Sequence, residues 1–141
     1  VDDEPQHMAS LVKKGVIQLV QLHGQEDEAF VQQIQSDLGV PVIKAFSIAN
    51  QDDVRRALES RADYILLDQG KGGTGKAFDW SLLKGLGRPY FLAGGLTPQN
   101  AAQAAALQPY ALDVSSGIET DGVKDREKMT LFMTTLGVYR R

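Results

Sequence analysis

The stretch Tyr64-Ile65-Leu66-Leu67-Asp68-Gln69-Gly70-Lys71-Gly72-Gly73-Thr74-Gly75 decides how the rest of the chain is read. Ile65, Leu66 and Leu67 form the short apolar run that a parallel strand covered on both faces requires. Asp68 stands where such a strand leaves the core. Gly72, Gly73 and Gly75 follow, and without Cβ atoms their backbone N–H groups can approach an anion closely. A carboxyl beside an oxyanion cradle suits acid–base chemistry on a phosphorylated small molecule. Taken alone, Asp68 fits equally well as a turn-capping residue beside a flexible loop.

Working outward, the same strand-then-helix pattern recurs. Residues 2–14 read as a helix with Pro5 tolerated in its first turn and Gly15 at its end. Strands are expected over 16–23, 41–46, 63–68, 89–93 and 110–114. A helix over 26–38 places Phe30, Val31, Ile34 and Leu38 on one face, with Glu26, Asp27 and Glu28 in its first turn. Asn50 and Asp53 suggest a capping box opening a helix that runs to about residue 60. Asp79 caps a short helix, and Trp80 reads as core. Thr97-Pro98 signals a helix start, and a last helix over 125–136 aligns Met129, Phe132, Met133 and Leu136. Strand starts recur every roughly 20–26 residues, which predicts a parallel sheet with right-handed crossovers in one α/β domain over 1–141.

Composition narrows the function. The chain has 141 residues and a net charge of −3, with no basic cluster suited to nucleic acid or an acidic membrane. It contains no cysteine, which removes disulfides, thiolate metal sites and a cysteine nucleophile or base from its own repertoire. Two histidines, His7 and His23, make a poor zinc site. No run is long enough to span a membrane and no signal-peptide pattern opens the sequence, so a cytoplasmic location is expected.

Strand–helix alternation fits either an open doubly wound sheet or part of a (β/α)₈ barrel. The position of the polar motifs favours the barrel. His23-Gly24, Ser47, Asp68, Gly94-Gly95 and Ser115-Ser116-Gly117 each follow a strand. A barrel draws its site from all strand ends, and its phosphate site often from the loops after the last two strands. On that reading Asp68 ends the sixth strand. Neither glycine spacing matches a dinucleotide or P-loop motif. His23 reads as a ligand contact or as a histidine bonded to a neighbouring loop. Lys44 points into a polar strand-end cavity or snorkels along the sheet.

Six ordered segments then carry a resemblance: Val20-Gln21-Leu22-His23-Gly24; Lys44-Ala45; Leu66-Leu67-Asp68; Gly72-Gly73-Thr74-Gly75 with Phe78-Asp79-Trp80; Leu92-Ala93-Gly94-Gly95-Leu96 with Pro98 and Asn100; and Asp113-Val114-Ser115-Ser116-Gly117-Ile118-Glu119 with Gly122, Lys124 and Asp125. In these the chain resembles the phosphoribosylanthranilate isomerase family of tryptophan biosynthesis. The resemblance implies an α/β (β/α)₈ TIM-barrel fold, present here as an incomplete barrel of about five parallel strands, equivalent to strands 4–8, with a preceding helix. It implies a cofactor-free, metal-free isomerase performing an Amadori rearrangement, with Asp68 as general acid. Gly73, Gly75, Gly94, Gly95, Ser115, Ser116 and Gly117 would hold the substrate phosphate, and His23 and Lys44 would lie near the substrate. The family's cysteine base on the first strand, and its arginine after the second, have no counterpart in this sequence. The expected partners are therefore a small phosphorylated substrate and either a complementing amino-terminal segment or further copies of the chain. Three explanations stay open: part of a longer enzyme, a barrel closed by a second chain, or an inactive remnant. Two other classes compete. One is another phosphate-binding barrel, such as a pentose-phosphate epimerase or thiamine-phosphate synthase, although the epimerase's metal-ligand His and Asp residues are not found. The other is a non-catalytic phosphate-binding half-barrel that self-associates.

Overall fold

Five parallel strands pair in strict chain order in the computed structural model, which describes residues 4–69 and 78–137. They are β1 (Val20–Leu22), β2 (Val42–Ser47), β3 (Tyr64–Asp68), β4 (Tyr90–Leu92) and β5 (Ala111–Leu112). The helices are α1 (Pro5–Lys13), α2 (Glu28–Leu38), α3 (Gln51–Glu59), α4 (Ala101–Ala106) and α5 (Arg126–Thr135), with 3₁₀ turns at Trp80–Leu83 and Ser116–Ile118. A sheet in chain order has no reversal point, so right-handed crossovers lay every helix on one face. This excludes the doubly wound alternative for the described sheet.

Side chains alternate accordingly. Toward the helices, Val20, Leu22 and Val42 meet Met8 of α1 and Val31 and Ile34 of α2. Farther along, Ile65, Leu67, Tyr90 and Leu92 meet Val54 and Ala57 of α3, Trp80, Ala101 and Ala104 of α4, and Phe132 of α5. On the opposite face lie Ile43, Ala45, Leu66 and Ala93. There Tyr64, Phe91 and Tyr110 gather with ring centroids 5.4–5.7 Å apart.

Several boundaries differ from the sequence reading. The strand expected over 16–23 is only Val20–Leu22. Residues 16–19 instead finish the turn after α1: the Val16 amide donates to Leu11 O and the Gln18 side chain to Gly15 O. The ladder begins where the Val20 amide reaches Pro41 O. Glu26 lies outside α2, whose cap is Asp27, accepting from the Phe30 amide at 2.8 Å. α4 starts at Ala101 rather than after Thr97-Pro98, because the Asn100 side chain bridges the turn. It accepts from the Thr97 amide and donates to Gly95 O. In α5 only Phe132 is buried; Met129 and Met133 are exposed. A small antiparallel hairpin, β6 (Glu119–Thr120) and β7 (Val123–Lys124), was not expected. Asp121-Gly122, both at positive φ, turn it.

The capping box at α3 is present as read. Asp53 accepts from the Ala49 and Asn50 amides, and Asn50 accepts from the Asp53 amide. The Ala49 amide, ahead of the Arg56 guanidinium and the Asn50 amide, holds the Asp53 carboxyl below its ordinary value against the opposing effect of burial. Asp53→Asn is expected to cost about 1 kcal/mol at pH 7. A depressed carboxyl contributes stability above its unfolded value, near ~4, and loses it as pH falls through the folded one. Urea midpoints of parent and variant should therefore converge below about pH 4; a gap that stays constant from neutral pH into that range would refute the assignment.

Candidate active site

The carboxyl ends of the strands build one cavity of about 200 Å³, lined by His23, Asp68, Gln69, residues 93–96, Asp113 and residues 115–117. β3 occupies the middle of the sheet and delivers Asp68 to its rim, in register with Ser47 of β2. The backbone there is tied down, since Asp68 O accepts from the Ile48 amide at 2.8 Å. Asp68 Oδ1 accepts from the Gln69 amide at 2.6 Å. Its other oxygen, Oδ2, faces His23 Nε2 at 3.6 Å. Both side chains are partly open to solvent. The Gln21 amide nitrogen lies 3.4 Å from His23 Nδ1. When Gln21 donates there, the imidazole proton resides on Nε2, toward Asp68.

The two small-residue loops meet in this cavity. Gly94 has φ +81°, and a Cβ on it would overlap Asp68 Oδ1 and stand 2.5 Å from the Gln69 nitrogen. Gly94 thus makes room for the carboxylate itself. A Cβ on Gly117 would overlap the Leu96 carbonyl oxygen, with Leu96 C at 2.8 Å. The loop after β5 therefore packs backbone to backbone on the loop after β4. Among the described residues, the Gly95 and Ser116 amides donate to no backbone or side-chain acceptor. They leave donors for an anion on both loops. The loop after β5 is braced from β7, where Lys124 Nζ donates to Ser115 O at 3.0 Å and pairs with Glu119 at 2.7 Å.

The structure thus brings together His23, Asp68, Gly94, Gly95, Ser115, Ser116 and Gly117. Gly73 and Gly75 lie outside the described residues. Lys44 is not brought into this cavity. It alternates with Ile43 and Ala45, so its side chain leaves β2 on the helix side, where it is 4% exposed. Nζ donates to Gly24 O at 2.9 Å and to Glu26 Oε2 at 2.6 Å. Burial pushes the Glu26 carboxyl up. The Lys44 hydrogen bond, backbone amides and the Lys44 charge together bring it below the ordinary carboxylate value. Sequence reasoning gave no site role to Gln21 or the Gly94–Asp68 contact, and placed Glu26 only in the first turn of a helix. Gln21 was within reach, because a period of two puts it on the same face as His23.

A one-way parallel sheet with a carboxylate at its central rim and two small-residue loops after its last strands defines an α/β protein of the TIM-barrel type. The family model described as N-(5′-phosphoribosyl)anthranilate (PRA) isomerase matches residues 1–135, and the chain belongs to this family. The N-(5′-phosphoribosyl)anthranilate isomerase of Endomicrobium trichonymphae is 42% identical over 134 residues, which cover 92% of this chain and 66% of that protein. The crystal structure of phosphoribosyl anthranilate isomerase from Thermotoga maritima superimposes with a TM-score of 0.83 at 35% identity, over 99% of this chain and 71% of that one. A phosphoribosyl anthranilate isomerase solved with reduced 1-(o-carboxyphenylamino)-1-deoxyribulose 5-phosphate gives 0.78 at 33%, over 98% and 69%. The chain therefore spans about two thirds of the length of these relatives. No helix among the described residues is long and apolar enough to cross a membrane.

Proposed function

We propose that this chain carries the general acid and the phosphate grip of N-(5′-phosphoribosyl)anthranilate isomerase, an enzyme of tryptophan biosynthesis acting in the cytoplasm without a cofactor. The supporting observation is the convergence of Asp68, His23 and both small-residue loops on one cavity. Phosphate binds the amides after β4 and β5, with Ser115 and Ser116 beside it. Asp68 gives its proton to the ribose ring oxygen as the C1′–O bond breaks and the anthranilate nitrogen lone pair forms the C1′=N bond. A base then takes the C2′ proton, and the resulting enolamine tautomerises to 1-(o-carboxyphenylamino)-1-deoxyribulose 5-phosphate. This chain has no cysteine to serve as that base. β1–β5 correspond to barrel strands 4–8, and the base belongs to a complementing segment equivalent to strands 1–3. β1 and β5 are the edges of the described sheet, which is where such a segment or a second copy would pair.

The test follows loss of anthranilate-adduct fluorescence with freshly made substrate. The chain alone should bind the reduced product analogue without turnover, and adding the first three strand–helix units of a family member should restore turnover. Failure to bind the analogue, with no activity after complementation, would refute the proposal. A native homodimer that binds phosphate and stays inert would support the non-catalytic reading.

A further inference from the structure

We propose that Lys44 and Glu26 are positioning residues, a buried ion pair that fixes Gly24 and so holds His23 against Asp68. His23 is the first residue beyond β1, and among the described residues no backbone–backbone hydrogen bond holds 23–26. Gly24 is instead gripped at both of its polar groups. Its carbonyl accepts from Lys44 Nζ at 2.9 Å, and its amide donates to Glu26 Oε2 at 2.9 Å. That same oxygen receives Lys44 Nζ at 2.6 Å, closing a ring of three contacts around one residue. The Lys44 and Glu26 side chains are 6% and 12% exposed.

A pair this buried is a weak source of stability, because desolvation offsets most of its attraction. What it supplies is geometry. The neighbouring cavity also contains Arg56, which is paired with Asp53. Lys44 Nζ, buried and held on Gly24 O and Glu26, acts through Gly24 rather than on a substrate. The hold on His23 comes from these protein contacts alone, and its use in catalysis rests on the function proposed above.

The sequence makes the test direct, because His7 on α1 is the only other histidine and serves as internal reference. The experiment records imidazole ring NMR signals of the full chain with and without Asp68→Asn. In the parent, Asp68→Asn should shift the His23 signals and leave those of His7 in place. In Lys44→Met/Glu26→Gln, which neutralises both partners together, the same substitution should move His23 at least fourfold less while circular dichroism and Tm remain near parental. An undiminished response in the double variant, or no response in the parent, would overturn the proposal. Should the double variant fail to fold, Glu26→Gln alone decides by the same readout: at least a halved response is expected, and an unchanged one overturns. No substrate is involved, so the result is independent of whether the isomerase reading survives.

Discussion

Asp68→Asn is expected to lower the turnover of N-(5′-phosphoribosyl)anthranilate in the complemented enzyme by about 10²- to 10⁴-fold, the range for loss of a positioned acid. Binding of the reduced product analogue should change by less than about threefold, a small free-energy change. The substitution keeps the side chain's shape and an oxygen for the Gln69 amide, but removes the transferable proton. The contrast between kcat and binding is the informative part. A group that acts only in the transition state lowers kcat and kcat/KM together. The opposite pattern, preserved kcat with weakened binding, would make Asp68 a substrate ligand and leave the acid unidentified. Asp113 also lines the cavity, at the end of β5. Asp68 is favoured over it by the His23 imidazole at 3.6 Å and by the glycine that makes room for its carboxylate.

Gly117→Ala should have the second large effect, and on binding instead. The added methyl would overlap the Leu96 carbonyl oxygen and approach Leu96 C at 2.8 Å and Thr97 Cα at 3.1 Å. All three are backbone atoms, so no side-chain rotation relieves the clash. The two loops must separate by about 1 Å, a displacement that can cost about 10²-fold in a positioned site. Affinity for the reduced product analogue should fall at least about 10²-fold, with about 1–3 kcal/mol of overpacking destabilisation. Gly122→Ala is the matched control. Its φ of +77° is strained for alanine, but a Cβ there meets nothing within 4 Å. It should cost about 1 kcal/mol and leave affinity unchanged. Calorimetric titration of both variants separates the two causes, and equal affinities would remove Gly117 from the phosphate grip.

What the sequence made legible follows from the range of each signal. Ile65 to Asp68 announced a buried strand ending in a carboxylate, because burial and polarity there change within four residues. The caps at Asn50 and Asp79 were readable for the same reason, each being closed by an amide two or three residues away. Long-range pairings were not readable. Three acids at 26–28 look alike along the chain, yet Glu26 is claimed by a lysine eighteen residues on. Thr97-Pro98 is a strong local start that loses to an asparagine spanning the turn to Gly95. Met129 and Met133 keep helical period with Phe132, but only the fold decides which side of α5 meets α4 and the sheet. Asp121-Gly122 is a hairpin signal that the strand–helix pattern obscured. That Gly94, read as a phosphate-loop glycine, also leaves room for the Asp68 carboxylate depends on a contact between separate strand ends.

The unequal lengths of the strand pairings have a kinetic consequence. β2 and β3 share five registered positions, from Ile43–Tyr64 to Ser47–Asp68. β1 with β2 and β3 with β4 share three each, and β4 with β5 share two. Local opening should therefore begin at the outer strands and reach the centre last. Native-state amide exchange should be slowest at Phe46 and Leu66, whose amides face the β2–β3 pairing, and fastest around β5; a flat profile would refute the gradient. Under the proposed function, such a gradient would divide the labour of the cavity in time: the loop beyond β5 would let go of an anion through small, frequent fluctuations while Asp68 stays seated in the part of the molecule that opens least.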